Sequence, residues 1–157
     1  MARRLHPVGL DFVEAAPVRH VFVRELAAPV EAVYGALEDV PGWAAWFPQV
    51  TAARPVDGGA GRDITLTGGV RFRESIVAAT APEVYAYRVD VTNLPGVRAI
   101  AEEWRLAPAG TGTGTRLRWT FATDGTAAYR LALKVARGGQ ARAFRDAVRA
   151  LERRLAG

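Results

Sequence analysis

An α+β fold, a curved antiparallel sheet wrapped around one long terminal helix, is what this sequence predicts, and three patterns predict it. Phe144, Val148, Leu151 and Leu155 recur at i, i+4, i+7 and i+11, one face of a 3.6-residue period, while Arg142, Arg145, Arg149 and Arg153 fall on the opposite face. A helix of that kind needs a surface to cover. Between Val50 and Thr123 the chain breaks into six short strand-like segments, joined by connections too short for crossover helices. Neighbouring strands are therefore antiparallel. Upstream lie one more strand and then a pair of short helices, which brings the sheet to seven strands.

Taken in order, residues 1–17 hold Pro7, Gly9 and Pro17 and little periodicity. They read as an irregular arm, with Leu10, Phe12 and Val13 able to pack back on a single domain at 18–157. Val18–Leu26 is rich in Val and Phe and reads as the first strand. Pro29 at a first helical position and Glu31 in the first turn mark a helix start. Val30, Val33, Tyr34 and Leu37 form its apolar stripe, and Pro41-Gly42 stops it. Residues 42–48 carry Trp43, Trp46 and Phe47, a large apolar area for a second short helix or turn. Strands follow at 50–56, 62–67, 70–79, 84–92, 98–106 and 115–123. The separators include Asp57-Gly58-Gly59, Gly68-Gly69, Asn93-Leu94-Pro95-Gly96 and the Gly/Thr run at 109–114. In the closing segment, 126–155, Gly138-Gly139 has two readings. Either it breaks the helix in two, or it leaves room for a cavity and lets the helix bend.

The 157 residues suit one domain with a real core, and the 50% hydrophobic and 24% charged content is ordinary for a globular chain. The absence of Cys excludes disulfides, thiolate chemistry and Cys-built metal sites. A net charge of +5 allows an acidic partner, although dispersed Arg on solvated faces explains it as well. No apolar run approaches the ~20 residues of a membrane span. Leu5 to Leu10 is interrupted by His6, Pro7 and Gly9, so no secretory h-region follows the basic start, and a cytoplasmic protein is expected.

Strand period two assigns the inward faces. Tyr85, Tyr87, Val89 and Val91 share one face, as do Ile100, Glu102, Trp104 and Leu106, and Leu117, Trp119 and Phe121. Val70, Phe72, Glu74 and Ile76 form another. Two carboxylates, Glu74 and Glu102, thus sit on apolar faces. Tyr87, Trp104 and Trp119 are expected to be buried, and Arg88 and Arg118 exposed.

The element order and several short words resemble the START/Bet v 1-like (SRPBCC) superfamily, in its polyketide cyclase/dehydrase branch. The words are Ala28-Pro29-Val30-Glu31-Ala32-Val33-Tyr34, Trp46-Phe47-Pro48-Gln49-Val50, Gly61-Arg62, Ala81-Pro82-Glu83 before Tyr85-Ala86-Tyr87-Arg88-Val89, and Gly114-Thr115-Arg116-Leu117-Arg118-Trp119. The resemblance spans roughly residues 18–156. It implies a helix-grip fold: a seven-stranded sheet gripping the C-terminal helix and enclosing an apolar cavity for a lipid, a polyketide or another hydrophobic small molecule. Aromatase/cyclases of the family carry a Tyr after the second helix and an Arg in a middle strand of the wall. The corresponding positions here look like Val50 and Ala78, which argues against cyclase activity.

Other chemistries find little support. His6 and His20 are the only histidines and have no ligand spacing, so no metal or other cofactor is expected. Ser75 shares parity with Arg71 and Arg73 and faces out, and the Gly/Thr run lacks the Lys of a phosphate loop. Glu102 and Glu103 point to opposite faces and are no catalytic pair. Glu74, Glu102 and Tyr87 are the candidate acid/base groups. The plainer reading gives each carboxylate an inward Arg or a place near the cavity mouth. The candidate ligand contacts are Trp46, Phe72, Tyr85, Tyr87, Glu102, Trp104, Trp119, Gly138 and Phe144. The expected function is binding of a hydrophobic small molecule in the cavity by a monomer or homodimer. The alternatives are a polyketide cyclase/dehydratase and a protein-binding module. The Arg stripe on the terminal helix reads as a solvated face rather than a nucleic-acid site, since no aromatics interleave it.

Overall fold

A computed structural model describes residues 1–110 and 112–157. Thr111, in the Gly/Thr run, lies outside the described residues. The elements are β1 (Arg3–Arg4), α1 (Phe12–Ala15), β2 (Val18–Leu26), α2 (Val30–Glu38), α3 (Trp43–Trp46), β3 (Val50–Val56), β4 (Gly61–Leu66), β5 (Arg71–Thr80), β6 (Val84–Thr92), β7 (Val97–Pro108), β8 (Thr115–Gly125) and α4 (Ala127–Ala156). The strands form one sheet in the order β2-β8-β7-β6-β5-β4-β3, with β1 attached to β6. Every paired strand is antiparallel. The architecture is the α+β arrangement that the patterning predicts, a curved antiparallel sheet around a long C-terminal helix, and the helix-grip form that the resemblance implies.

Alternation along the strands sets which face is concave. Tyr85, Tyr87, Ile100, Glu102, Trp104, Trp119 and Phe121 are all buried. The ladder pairs Tyr87 with Glu102, and Glu102 in turn with Phe121. Phe22 of β2 pairs with Trp119, so one aromatic row crosses the sheet. Register shifts interrupt the β3–β4, β5–β6 and β7–β8 ladders. Each inserts a residue into one strand, which bends and twists it and helps the sheet to curl. One shift corrects the predicted face of Val91. Glu74 pairs with Val89 but Arg73 with Val91, so Asp90 is the extra residue and the alternation flips. Thr92, opposite Phe72, is buried, and Val91 is half-buried.

Arg88 and Arg118 also depart from expectation, being half-buried rather than exposed. Both lie along the convex face against carboxylates. Arg88 Nε donates to Asp90 at 2.8 Å, and Arg118 lies 3.7 Å from Glu103. Glu103 is buried beneath Arg118 and Arg105. Ser75, on the same face, donates to Asp90.

Residues 1–17 contain more regular structure than their composition suggests. β6 and β7 pair only as far as Arg88 and Ala101. Beyond that point the arm runs into the split. Arg3 and Arg4 pair with Thr92 and Val91, Leu5 N–H donates to Asp90 at 2.8 Å, and His6 N–H donates to Arg98 at 2.9 Å. Leu5 is buried in the core. The one-turn helix α1 lies on β7 and β8 and buries Val13, while Phe12 is half-buried and Leu10 exposed. Two residues are too few to show period two, so β1 has no signature of its own.

The helices differ from expectation by small shifts. Pro29 is the N-cap of α2 rather than its first residue, with extended ψ of 157°. α4 starts after Thr126, whose side chain accepts from Tyr129 N–H. It is one helix of 30 residues, unbroken at Gly138-Gly139. Its second half packs against the domain through Phe144, Ala147, Val148 and Leu151, whereas in its first half Tyr129 alone is buried.

Candidate functional site

A cavity of about 510 Å³ opens between the concave face of the sheet, the α3 segment and the first half of α4. That volume falls in the ordinary range for small-molecule sites. Its walls are mostly apolar, with Ile64, Leu66, Phe72, Trp119 and Phe121 from the sheet, Trp43 and Phe47 from the α3 segment, and Tyr129 and Leu133 from α4. Its polar side chains include Arg62, Glu74, Tyr87, Glu102 and Gln140.

Four of these form a buried group in the wall. Arg62, on β4, shares strand parity with Ile64 and is only 2% exposed. Its Nε donates to Glu74 Oε1 at 2.5 Å across the β4–β5 pair Arg62–Glu74. The guanidinium carbon lies 3.9 Å from the Tyr87 ring centroid and 4.3 Å from that of Trp43. These aromatic faces attract the cation. Nη1 of Arg62 is buried and has no hydrogen-bond partner among the described residues. A second chain runs beside it. Trp104 Nε1 donates to the Tyr87 hydroxyl at 3.1 Å, and that hydroxyl donates to Glu102 Oε1 at 2.9 Å. Trp119 Nε1 donates to the same Oε1 at 2.9 Å, so neither bond engages Oε2.

The electrostatics follow from one cation among two carboxyls. Arg62 stays charged: burial works against it, but Glu74 and the two tyrosines outweigh burial. Burial pushes Glu74 upward from the ordinary carboxylate range, while Arg62 pulls it back. Burial likewise pushes Glu102 upward, and the donors Tyr87 and Trp119 oppose the shift. Glu74 touches the guanidinium; Glu102 is held only by neutral donors. The two carboxyls thus share one cation at close quarters, and it is the pair that is disposed to hold a proton near neutrality. Burial, and then the neighbouring Glu102, push the Tyr87 phenol well above its usual value, so it remains a hydrogen-bond donor.

Not all the expected contact residues reach this space. Phe72, Tyr87, Glu102 and Trp119 line it, as does Glu74. Trp46, Tyr85, Trp104 and Phe144 are buried in the packed layer behind the wall. Trp104 stacks on Trp119 with centroids 5.3 Å apart and supports the wall rather than forming it. Gly138 is exposed, and a Cβ there would meet nothing within 4 Å. Its missing side chain makes no cavity room. Ala78, the position to which the resemblance leads for a wall arginine, pairs with Ala86 and so shares the convex face. The inward arginine is Arg62, two strands from β6. Its signal was the alternation Arg62, Ile64, Leu66. Trp43, Phe47, Tyr129 and Gln140 are further wall residues outside the expected set; Gln140 Oε1 accepts from His20 Nδ1–H at 2.5 Å.

One edge of the cavity wall depends on a close approach of two backbones. Thr126 N–H donates to Gly96 at 2.8 Å, and Gly96 has φ of 83°. A Cβ at Gly96 would lie 2.9 Å from Thr126 Oγ1 and 3.0 Å from Tyr129 Cβ. Only glycine fits this position. It draws the 93–96 loop onto the start of α4, with Leu94 at the cavity wall.

A curved sheet gripping a terminal helix over an apolar cavity with a few convergent polar groups is the form of a small-molecule-binding fold. The chain belongs to the polyketide cyclase/dehydrase and lipid transport family, whose model matches residues 18–156. An uncharacterized protein of Mycobacterium tuberculosis is 30% identical over 121 residues, covering 73% of this chain and 71% of its own. A counterpart in Mycobacterium bovis matches equally. Among solved structures, XoxI from Bacillus cereus superposes with a TM-score of 0.73 at 14% identity, over 88% of this chain and 95% of its own. An aromatase/cyclase from a Streptomyces strain gives 0.71 at 21% identity, over 87% and 94%. A START superfamily protein from Mycobacterium smegmatis gives 0.68 at 14% identity, over 87% and 96%. Among the described residues, no helix is long and apolar enough to cross a membrane.

Proposed function

We propose that this protein binds a hydrophobic small molecule bearing an oxygen function, held in the cavity with its polar end at Arg62 and Glu102. The observation that carries this reading is the unpartnered Nη1 of Arg62. A buried donor without a partner costs roughly 1–3 kcal/mol. A ligand carbonyl, enolate or carboxylate placed there removes that cost, and the Glu102 carboxyl supplies a second anchor of opposite preference. The apolar wall fits a polyketide-like or lipid-like body.

A second reading, cyclisation or dehydration of such a ligand, draws support from the same group. A carboxyl disposed to hold a proton, a cation and a phenol face one cavity, which are the parts needed to polarise a carbonyl and move a proton. Glu102→Gln separates the two readings, because it keeps shape and hydrogen bonding but removes the titrating group. Affinity for a polyketide-like or fatty ligand, followed by tryptophan fluorescence and native mass spectrometry, changes within about tenfold, or ~1.4 kcal/mol, if the protein only binds. If Glu102 moves a proton, turnover falls by roughly 10²–10⁴ while binding survives. Failure of the purified protein to retain or take up any apolar ligand overturns both readings.

A further inference from the structure

The first half of α4 buries Tyr129 alone and carries an unusual pairing of exposed groups. Leu131 and Val135 are 64% and 80% exposed, two of the few large hydrophobics left in solvent. They lie one helical turn apart on the outer face. At 100° per residue, Ala128, Ala132 and Ala136 extend this apolar arc around one side of the helix. There they meet Leu94 and Pro95 in a largely apolar groove that also contains Tyr129 and Leu133. Leu94, Tyr129 and Leu133 line the cavity as well, so the groove adjoins the cavity along this wall. On the other side of the same helix lie Arg130, Lys134 and Arg137, with Arg142 and Arg145 further along it. No acidic residue interrupts them between Asp124 and Asp146.

From this we infer that the protein docks on an anionic lipid surface through the first half of α4 and the 93–96 loop, with this wall of the cavity facing the bilayer. An exposed apolar arc beside a basic stripe is the arrangement that lies in a membrane interface, aliphatic groups among the acyl chains and cations at the phosphates. Charge complementarity decides the occupant. A second copy packed symmetrically on this face would set like charges against like, and an arc of Leu, Val and Ala offers no aromatic platform to a nucleic acid. The cavity would then exchange its ligand with the bilayer without passing it through water. Docking is measured on ligand-free protein, so it stands or falls apart from the binding reading above.

The chain has no Cys, so Val135→Cys gives a single position for an environment-sensitive fluorophore. With vesicles of 70:30 phosphatidylcholine and phosphatidylglycerol, the label is expected to shift to the blue. With phosphatidylcholine alone, or with a label at Leu10→Cys on the arm, it should not. In flotation assays, replacing Arg130, Lys134 and Arg137 together by Gln should weaken binding on the order of 10²-fold. Leu131→Gln with Val135→Gln should weaken it roughly tenfold or more while leaving the charge intact. All these side chains are exposed, and circular dichroism checks that each variant folds. Equal binding to neutral and anionic vesicles overturns the proposal. So does vesicle binding that survives both sets of substitutions, or a shift of the Val135→Cys label that follows protein concentration without lipid.

Discussion

Glu74 and Glu102 are both buried around one arginine, yet they are held differently. Glu74 has a guanidinium at 2.5 Å, whereas Glu102 has a phenol and an indole. Ionising Glu102 places a second negative charge in the same wall with no cation in contact. Its elevated native pKa has a definite consequence for stability. Between the ordinary carboxylate value and that elevated value, the folded protein keeps a proton that the unfolded chain has released. Stability therefore falls as pH rises through this window. Glu102→Gln does not titrate, and it also removes the charge that helps to push Glu74 upward, so the variant loses both contributions. The melting temperature of the variant, measured from pH 4.5 to 8, should gain on that of the parent as pH rises. A constant difference would show that Glu102 is ionised without penalty.

The inward placement of Glu74 and Glu102 was legible from alternation alone. So was that of Arg62, whose parity with Ile64 puts it on the wall, although it stands at the start of its strand where alternation has barely begun. What alternation does not give is depth. Trp104 and Trp119 share the inward face, but only Trp119 meets the cavity, because the curvature of the sheet decides which rings are stacked behind others. The flip at Asp90 was equally hidden, since a bulge is one residue of extra length and carries no composition of its own.

Among the elements, the strands were the most readable, because turn signals bracket each of them and the hydrophobic period is short. β2, β3 and β6 fall on the expected residues, and β4, β5, β7 and β8 differ at the ends by one or two. α4 is the instructive exception. Two adjacent glycines favour a break by roughly 2 kcal/mol relative to alanines, and yet the helix continues. Anchorage at Tyr129 on one side and at Ala143 and Phe144 on the other holds both ends, so packing overrides local preference. A Cβ at either glycine would meet nothing within 4 Å. Gly138→Ala with Gly139→Ala should therefore stabilise the protein by about 1–2 kcal/mol. Thermal unfolding would show a rise of a few degrees; a fall would mean that the helix needs these glycines to flex.

At the scale of the whole molecule, the arm from 1 to 17 is part of the sheet it was expected to hang from. Leu5 is 5% exposed and sits where β6 and β7 diverge. Leu5→Ala should cost about 2–5 kcal/mol, in the range of core truncations. Hydrogen exchange should localise the loss, with amides of β6 from 89 to 92 exchanging faster than those of β3 and β4. Uniform acceleration would show that the arm contributes only to global stability.

The pairing of β2 with β8 has a further consequence, in the making of the protein rather than in its finished form. β2 leaves the ribosome early, but its neighbour in the sheet is β8, at the far end of the chain. β1 similarly waits for β6. The strands in between can pair in order as they emerge, each with the one before it. Until residue 125 is out, the nascent sheet has no place for β2, whose Val- and Phe-rich stretch remains unpaired, and α4 follows later still. Cotranslational folding therefore begins in the middle of the chain and closes at its ends, and the cavity is the last part of the molecule to exist.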